Sequence, residues 1–426
     1  METINETPFV LLALRTQPLP PARALTVILK ATFERDGEAW KIADKQRDLA
    51  ADTPHMDDIG RSLAWASDLA PVKTCSDFFV LGSFHQPGGV PATEGHGAIQ
   101  LGQLRKELAF YGVGYAGQLA NGSWMQTARA PMVSVPLRWE FSYGGLSDPR
   151  NPMGRGIDKA LLPSGREMAL LPQIEYPEDR DRPPGQPIRP ANFAPVPLSF
   201  LARSRRQGTR DRHWSVFRAP LPPQDFDPRY HNAAPDDQQA SDFCRGDETL
   251  ILVNLHPEIP ELTTTLPGLR PRVGVLRRLL GVVTPQELPM RLDTVVALPD
   301  EDQLVLTWRG VIELSGATEQ GEIEWLQARV EPLAEPSEFE VLAAAMLDAW
   351  NAAQPKKREA PQAPSPRAPP DISATMGEAR KLFDKMKLPA ELRQTLANES
   401  NPEVVFTALS GFIGTKLAAM EAKYKK

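Results

Sequence analysis

Apolar and polar residues alternate along much of the chain, and the alternation predicts strands. Between Arg23 and Glu34, Leu25, Val27, Leu29 and Ala31 oppose Thr26, Ile28, Lys30 and Thr32, the period of a half-buried strand. Residues 8–15 (PFVLLALR) read as a strand before it. Asp36-Gly37 is a hairpin turn signal, with Ala39 to Ala43 as the return strand. Residues 47–67 are mixed and read as loop. Further strands are expected at Phe78 to Phe84, in 98–112 and 132–143, and at Glu248 to Leu255 and Arg272 to Arg277. Leu292 to Leu298 and Gln303 to Trp308 flank Pro299 to Asp302 as a hairpin. A last strand spans 322–331, with Ile323 and Trp325 inward and Leu326 a further candidate. Ser337 is the expected cap of a helix through Ala353, which aligns Phe339, Leu342, Ala343, Met346 and Trp350.

The stretch Arg138 to Gly156, RWEFSYGGLSDPRNPMGRG, changes the pattern. Leu137, Trp139 and Phe141 alternate with Arg138, Glu140 and Ser142 and read as a strand, which Gly144 and Gly145 break. Asp148-Pro149 and Asn151-Pro152 are extended or turn dipeptides, because proline disfavours the helical region in the residue before it. Gly154 and Gly156 flank Arg155, so positive φ is expected there, holding an arginine at a tight corner. Two readings stay open. One is a structural corner with Arg155 paired to a carboxylate; the other is a corner that presents Arg155 and backbone N–H groups to a partner. In residues 157–247, the prolines from 172 to 197 exclude regular elements. Tyr176, Phe193, Phe200, Trp214, Phe217, Phe226 and Tyr230 favour an excursion packed on the sheet over a solvated insertion.

The elements add up to a mainly-β body, sandwich-like and antiparallel with long loop insertions, over residues 1–335. A helix over 336–353 packs on it, followed by a Pro-rich linker over 354–371 and a small all-α module over 372–426. In that tail Asn401-Pro402-Glu403 opens a helix with Val405, Leu409, Phe412, Ile413, Leu417 and Met420 on one side, interrupted by Lys416. This face fits a helix docked within a bundle or on the body. It fits equally a tethered module that grips a partner helix.

Composition adds three points. The 43 prolines are about twice the usual share and run through the body as well as the linker. A net charge of −6 gives no general attraction for nucleic acid phosphates, although residues 355–370 carry four basic residues and one acidic. Cys75 and Cys244 are too few and too far apart for a disulfide framework or a thiolate zinc site. With no signal segment and no apolar run near the ~20 residues of a membrane span, the expected location is the cytoplasm.

Recognised catalytic spacings are missing: there is no GxSxG, GxxxxGK[ST], HExxH, CxxC or strand-to-helix GxGxxG. No catalytic residue, cofactor or metal is assigned, and the one hint of a metal is that His85 and His96 straddle a glycine-rich turn. The densest polar cluster is Asp225 to Gln239, DFDPRYHNAAPDDQQ. Its carboxylates, Asp225, Asp227, Asp236 and Asp237, are the types that cleave glycosides in pairs, and they are also turn builders.

Seven pieces in order carry a resemblance. They are KATF (Lys30 to Phe33), SDLAPVKTCSDFFVLG (Ser67 to Gly82), FSYGG (Phe141 to Gly145), NPMGRG (Asn151 to Gly156), FDPRYHNAAPDDQQ (Phe226 to Gln239), GDETLILVNLHP (Gly246 to Pro257) and LTWRG (Leu306 to Gly310). Over roughly residues 4–315 the chain resembles the family known as domain of unknown function 2169. The resemblance implies an adaptor or chaperone of bacterial type VI secretion, with an effector and the spike and PAAR proteins as partners. The alternative is an enzyme acting on carbohydrate or cell wall through the Asp225–Asp237 carboxylates. The matching motif residues are Asp68, Lys73, Asp77, Gly144, Gly145, Asn151, Gly154, Arg155, Gly156, Asp227, Asn232, Asp237 and Gln238. The resemblance implies that they bind a partner or hold the shared loops.

Overall fold

Strand Arg23–Asp36 is 14 residues long and lies at the centre of the molecule. The computed structural model describes residues 1–17, 23–119, 121–156, 168–183, 186–279, 281–315, 321–335 and 339–353. The expected linker, the tail helix carrying Val405 to Met420, and Ser337 lie outside the described residues.

Three larger sheets make the body. In the large sheet the order is Val10–Thr16, Arg23–Asp36, Gln303–Leu314, Arg291–Leu298, Asp77–Val80, with Ala39–Ile42 also on Arg23–Asp36. The second sheet runs Ile174–Glu175, Leu104–Tyr111, Glu94–Leu101, Thr249–Val253, Glu261–Thr265. The third runs Glu2–Asn5, Ile323–Pro332, Leu269–Leu279, Val282–Leu288. Pairing is antiparallel except where Asp77–Val80 runs parallel to Arg291–Leu298 and Glu2–Asn5 runs parallel to Ile323–Pro332. One core takes side chains from all three sheets, among them Leu25, Leu29, Phe33, Phe78, Leu108, Phe110, Leu252, Val273, Val295 and Leu306. The molecule is mainly β, as the alternation predicts.

The opposite face of the large sheet is covered as well. Thr26, Lys30 and Thr32, expected on a half-exposed side, are buried. The chain from 43 to 76 lies over them; it is irregular except for one short antiparallel pair, Thr53–Pro54 with Leu63–Trp65, inside the stretch expected to be loop. Thr26 Oγ1 donates to Pro71 O at 2.9 Å, Gln46 pairs with the backbone of Thr32, and Lys30 Nζ donates to Asp48 O at 2.7 Å. A burial of this kind is tolerated because the charged groups and most polar groups under the cover find a partner; Thr307 Oγ1, on the neighbouring strand Gln303–Leu314, does not.

Helix Phe339–Ala353 packs Leu342 and Met346 on Leu276 and Trp325, on the outer face of the third sheet. Gly274 makes room for it, since a Cβ there would sit 2.4 Å from Met346 Sδ. Ile323, Trp325 and Leu326 are all buried, because this sheet is covered on both sides.

Some expectations fail. The stretch 137–142 is not a strand: the ladder of the expected strand is confined to Ser134–Pro136, and Trp139–Phe141 forms a 3-10 turn. The spacing of two misleads because Leu137 joins the main core, whereas Trp139 packs against Val196 and Phe200 in a separate cluster. The strand expected over Phe78 to Phe84 is two, Asp77–Val80 and Ser83–His85, broken at Gly82, whose φ is +146°. Leu201–Ser204 and Arg212–Phe217 are short helices within the proline-rich excursion, where none was expected. Its packing is mixed: Phe193 and Phe200 are buried, while Phe217 is exposed.

Candidate functional site

A row of polar side chains crosses the covered face of the large sheet. Lys30 pairs with Thr307, Thr307 with Thr294, and Thr294 with Asp77, so four adjacent strands each contribute one residue in register. A register shift at Leu292/Thr294 widens the row. Because of that bulge, Asp293 and Thr294 both face the cover. Asp293 Oδ2 accepts from Arg309 Nε at 2.6 Å, and Asp293 Oδ1 accepts from Thr294 Oγ1 at 2.8 Å.

The cover supplies the complementary groups. Asp68 Oδ2 accepts from Lys30 Nζ at 2.8 Å and from Trp65 Nε1 at 3.1 Å. Arg309 Nη2 donates to Asp68 O at 3.1 Å. Lys73 Nζ donates to Asp77 Oδ2 at 2.8 Å and Thr294 Oγ1 at 2.7 Å. From the far end of the excursion, Asn232 Nδ2 donates to Asp77 Oδ1 at 3.1 Å and Ala233 N donates to Asp77 Oδ2 at 2.8 Å. Asp68, Lys73, Asp77 and Asn232, which the motifs single out, thus belong to one buried network. Burial lowers the Lys30 pKa, while Asp68 opposes the shift. His231 is pushed down to about 4 by burial and then by Arg203, Arg309 and Lys73.

Asp237 and Gln238 clasp a second lysine. Lys106 Nζ, in strand Leu104–Tyr111, donates to Asp237 Oδ1, Gln238 Oε1 and Asn192 O, each at 2.8 Å. Gln238 Nε2 bridges Phe78 O and Phe193 O at 2.9 Å. Tyr176 OH donates to Asp237 Oδ2 at 2.6 Å. Burial lowers the Lys106 pKa to about 8, with Asp237 acting against it.

Asp227 does neither. It caps the turn Pro228–His231 by accepting from Arg229 N at 2.9 Å, and it pairs with the Arg229 guanidinium. Asp225 accepts from Thr209, and Asp236 pairs with Arg206. All four carboxylates of Asp225 to Asp237 therefore hold a partner.

The other motif residues form a separate knot. Asn151 is fully buried, and its Nδ2 donates to Trp139 O at 2.9 Å and Tyr143 O at 3.0 Å. Gly144 N donates to Arg155 O and Gly145 N to Asn151 O, both at 2.9 Å. The glycine roles differ from expectation. Gly144 and Gly145 carry the positive φ, +157° and +143°, whereas Gly154 and Gly156 are needed for close approach. A Cβ on Gly154 would lie 2.4 Å from Asn151 Nδ2, and one on Gly156 would lie 2.9 Å from Gly144 O. Among the described residues Arg155 has no carboxylate partner. Its Nη1 donates to Gln173 Oε1 at 2.8 Å, and the guanidinium lies 4.4 Å over the Phe141 ring.

The strip 191–196 joins the two groups. Ser142 Oγ donates to Ala191 O at 2.6 Å and Trp139 Nε1 to Pro195 O at 2.8 Å on the knot's side. On the other side Val196 N donates to Ala233 O at 2.7 Å.

Sequence reading missed Lys30, Lys106, Asp293, Thr294 and Arg309 as members. The signal was present for Lys30, Asp293, Thr294 and Arg309, polar residues in mainly apolar strands, since a buried charge must have a partner; Lys106, between Arg105 and Glu107, carried none. His85 and His96 go to separate carboxylates, Asp300 and Glu107. Among the described residues no three His, Cys, Asp or Glu side chains form a metal's ligand set. No described helix is long and apolar enough to cross a membrane.

A family model described as an uncharacterized protein conserved in bacteria (DUF2169) matches residues 21–309, which span both groups. No curated protein and no solved structure matches the chain.

Proposed function

The chain belongs to the DUF2169 family, and we propose that it is a non-enzymatic adaptor or chaperone, which binds a type VI secretion effector and assists its loading onto the spike and PAAR proteins. The secretion setting comes from the family resemblance. The observation that supports an adaptor is where the motif side chains spend their hydrogen bonds. Asp68, Lys73, Asp77, Asn232 and Gln238 are buried and bonded to the sheet, the cover or the excursion, and Asn151 is buried and bonded within the knot. A hydrogen-bonded buried network rigidifies irregular chain, and loops held on a rigid scaffold are where partners bind.

The loops so held present apolar side chains to solvent. Ile59 is 93% exposed and Phe217 is 76% exposed, and Met56 and Leu146 are also exposed. Large apolar residues displayed on ordered loops suit a protein partner. The carbohydrate-enzyme alternative would need Asp225, Asp227, Asp236 or Asp237 to exchange its present partner for substrate.

The test is co-expression of the full chain with each spike, PAAR and effector product of its own locus, followed by size-exclusion with mass determination. A defined complex is expected with one effector, and Phe217→Ser is expected to weaken it without lowering the melting temperature. No complex with a spike, PAAR or effector product in any pairing refutes the adaptor, whether the chain alone runs as a monomer or as a homodimer. The enzyme alternative predicts instead that Asp→Asn changes at the four carboxylates abolish an activity while the fold stays intact.

A further inference from the structure

Sheet edges present unpaired N–H and C=O groups, and proteins blunt them with short strands, proline, charge or a covering segment. Most edges of the three larger sheets are blunted in these ways. Asp77–Val80 is sealed by the excursion, with Asp77 bridged to Gln239 and Val80 N donating to Phe193 O at 3.2 Å. Val282–Leu288 carries Pro285 and Glu287, and Glu261–Thr265 is acidic and threonine-rich. Ile174–Glu175 has two residues and Glu2–Asn5 four.

Val10–Thr16 is the least protected of these edges. It has seven residues, VLLALRT, with no proline and one charge near its end. It closes the large sheet on that side, and no strand lies beyond it among the described residues. At the Thr16 end, an open cleft of about 510 Å³ is lined by Ala13, Arg15 and Thr16 together with Leu25, Leu314 and Ile323.

The direction of its backbone groups follows from its neighbour. Arg35 N donates to Asp302 O, toward Gln303–Leu314, while Thr32 O accepts from Ala43 N on the opposite side. Successive residues of a strand point their backbone groups to opposite sides. The even residues of Arg23–Asp36 therefore bond to Val10, Leu12, Leu14 and Thr16, their register partners. Leu11, Ala13 and Arg15 are left with N–H and C=O directed outward.

We propose that this edge pairs with the same edge of a second copy, as antiparallel strands about a two-fold axis at Ala13. The register sets Ala13 against Ala13, Leu11 against Arg15 and Leu12 against Leu14, and satisfies the outward groups with roughly six inter-chain hydrogen bonds. Charge permits it: each Arg15 faces a leucine, and the two arginines are four positions apart, roughly 14 Å along the strand, beyond the screening length at physiological salt. The leucine pairs form on one face, where both side chains are half-buried in the single chain. The two-fold closes on itself, so the product is a dimer with one continuous sheet and no growing end. The pairing is independent of the adaptor function.

The experiment is sedimentation and light scattering of the full chain over a concentration series, with amide hydrogen exchange read at residues 10–16. A concentration-dependent dimer is expected, in which the amides of Leu11, Ala13 and Arg15 gain protection as the dimer fills. Ala13→Pro removes an outward N–H and leaves the hairpin ladder intact, so it should weaken dimerisation at least tenfold with little change in melting temperature. Leu14→Lys places a charge in the leucine pair and should do the same; it decides the matter if Ala13→Pro does not fold. A monomer at the highest soluble concentration overturns the proposal, as does a dimer that neither variant weakens. Protection of the three amides only in a complex with an effector also overturns it, and would assign the edge to a strand of the client.

Discussion

The ion pair of Lys73 and Asp77 offers the sharpest test of the buried network. Both side chains are enclosed, at 2% and 0% exposure. Asp77→Ala removes the acceptor of Lys73 Nζ, Asn232 Nδ2 and Ala233 N together. Lys73 then keeps Thr294 as a partner but no counter-charge. Breaking a buried pair costs about 3–5 kcal/mol, and the stranded Ala233 N–H adds about 1–3 kcal/mol. A loss of about 5 kcal/mol is expected. Lys73→Met leaves Asp77 with two donors, so its loss should be nearer 3 kcal/mol. If the losses were independent, the double variant would lose about 8 kcal/mol. It should instead lose no more than Asp77→Ala alone, because neither charge is then buried without the other, and the coupling should be about 3 kcal/mol. Urea unfolding of the four proteins at neutral pH, followed by tryptophan fluorescence, measures each term. Additivity within about 0.5 kcal/mol would refute the coupling, and an unchanged Asp77→Ala would remove the network as the anchor of the excursion.

Two further outcomes follow from the geometry. Gly154→Ala places a Cβ against Asn151 and Gly144, so it should destabilise the protein by about 1–3 kcal/mol; Gly145→Ala, which meets nothing within 4 Å, should register only the strain of its φ. Unfolding curves of the two variants compare the causes. Burial raises Glu175 to about 7, against the pull of Arg129. The folded protein therefore holds this proton more tightly than the unfolded chain, and stability falls as pH rises from about 4.5 to about 7, by up to roughly 3 kcal/mol. Glu175→Gln should gain on the wild type across that window in melting experiments, and parallel curves would contradict it.

How much of this could be read from the chain depended on where each residue's partner lies. The hairpin around Pro299 to Asp302 was legible because its strands and turn are contiguous, and Asp302 takes the left-handed φ of +51° that the turn requires. The alternation in Arg23–Asp36 gave the strand and its core face. It did not give the fate of the other face, because residues 43–76 have no periodicity to announce that they cover it. Asp68, Lys73, Asp77 and Asn232 were singled out as motif residues, but their convergence was not legible: Asn232 meets Asp77 across 155 residues of chain. Trp139–Phe141 was misread because two residues at strand spacing serve different clusters. Arg155 was expected at a tight corner made by positive φ at its flanking glycines; it instead forms a bridge with Tyr143, and its partners are an amide and an aromatic face, which no local pattern specifies.

The order of pairing in the large sheet bears on how the protein is made. Arg23–Asp36 takes Gln303–Leu314 as its inner neighbour, and Glu2–Asn5 takes Ile323–Pro332. During synthesis the amino-terminal hairpin exists long before either neighbour has left the ribosome. Until then Leu25, Val27, Leu29, Ala31 and Phe33 have no inner neighbour in the sheet. Contacts this distant in sequence slow folding and leave apolar strands open to aggregation. The large and third sheets can therefore close only when the last strands, Gln303–Leu314 and Ile323–Pro332, have been made.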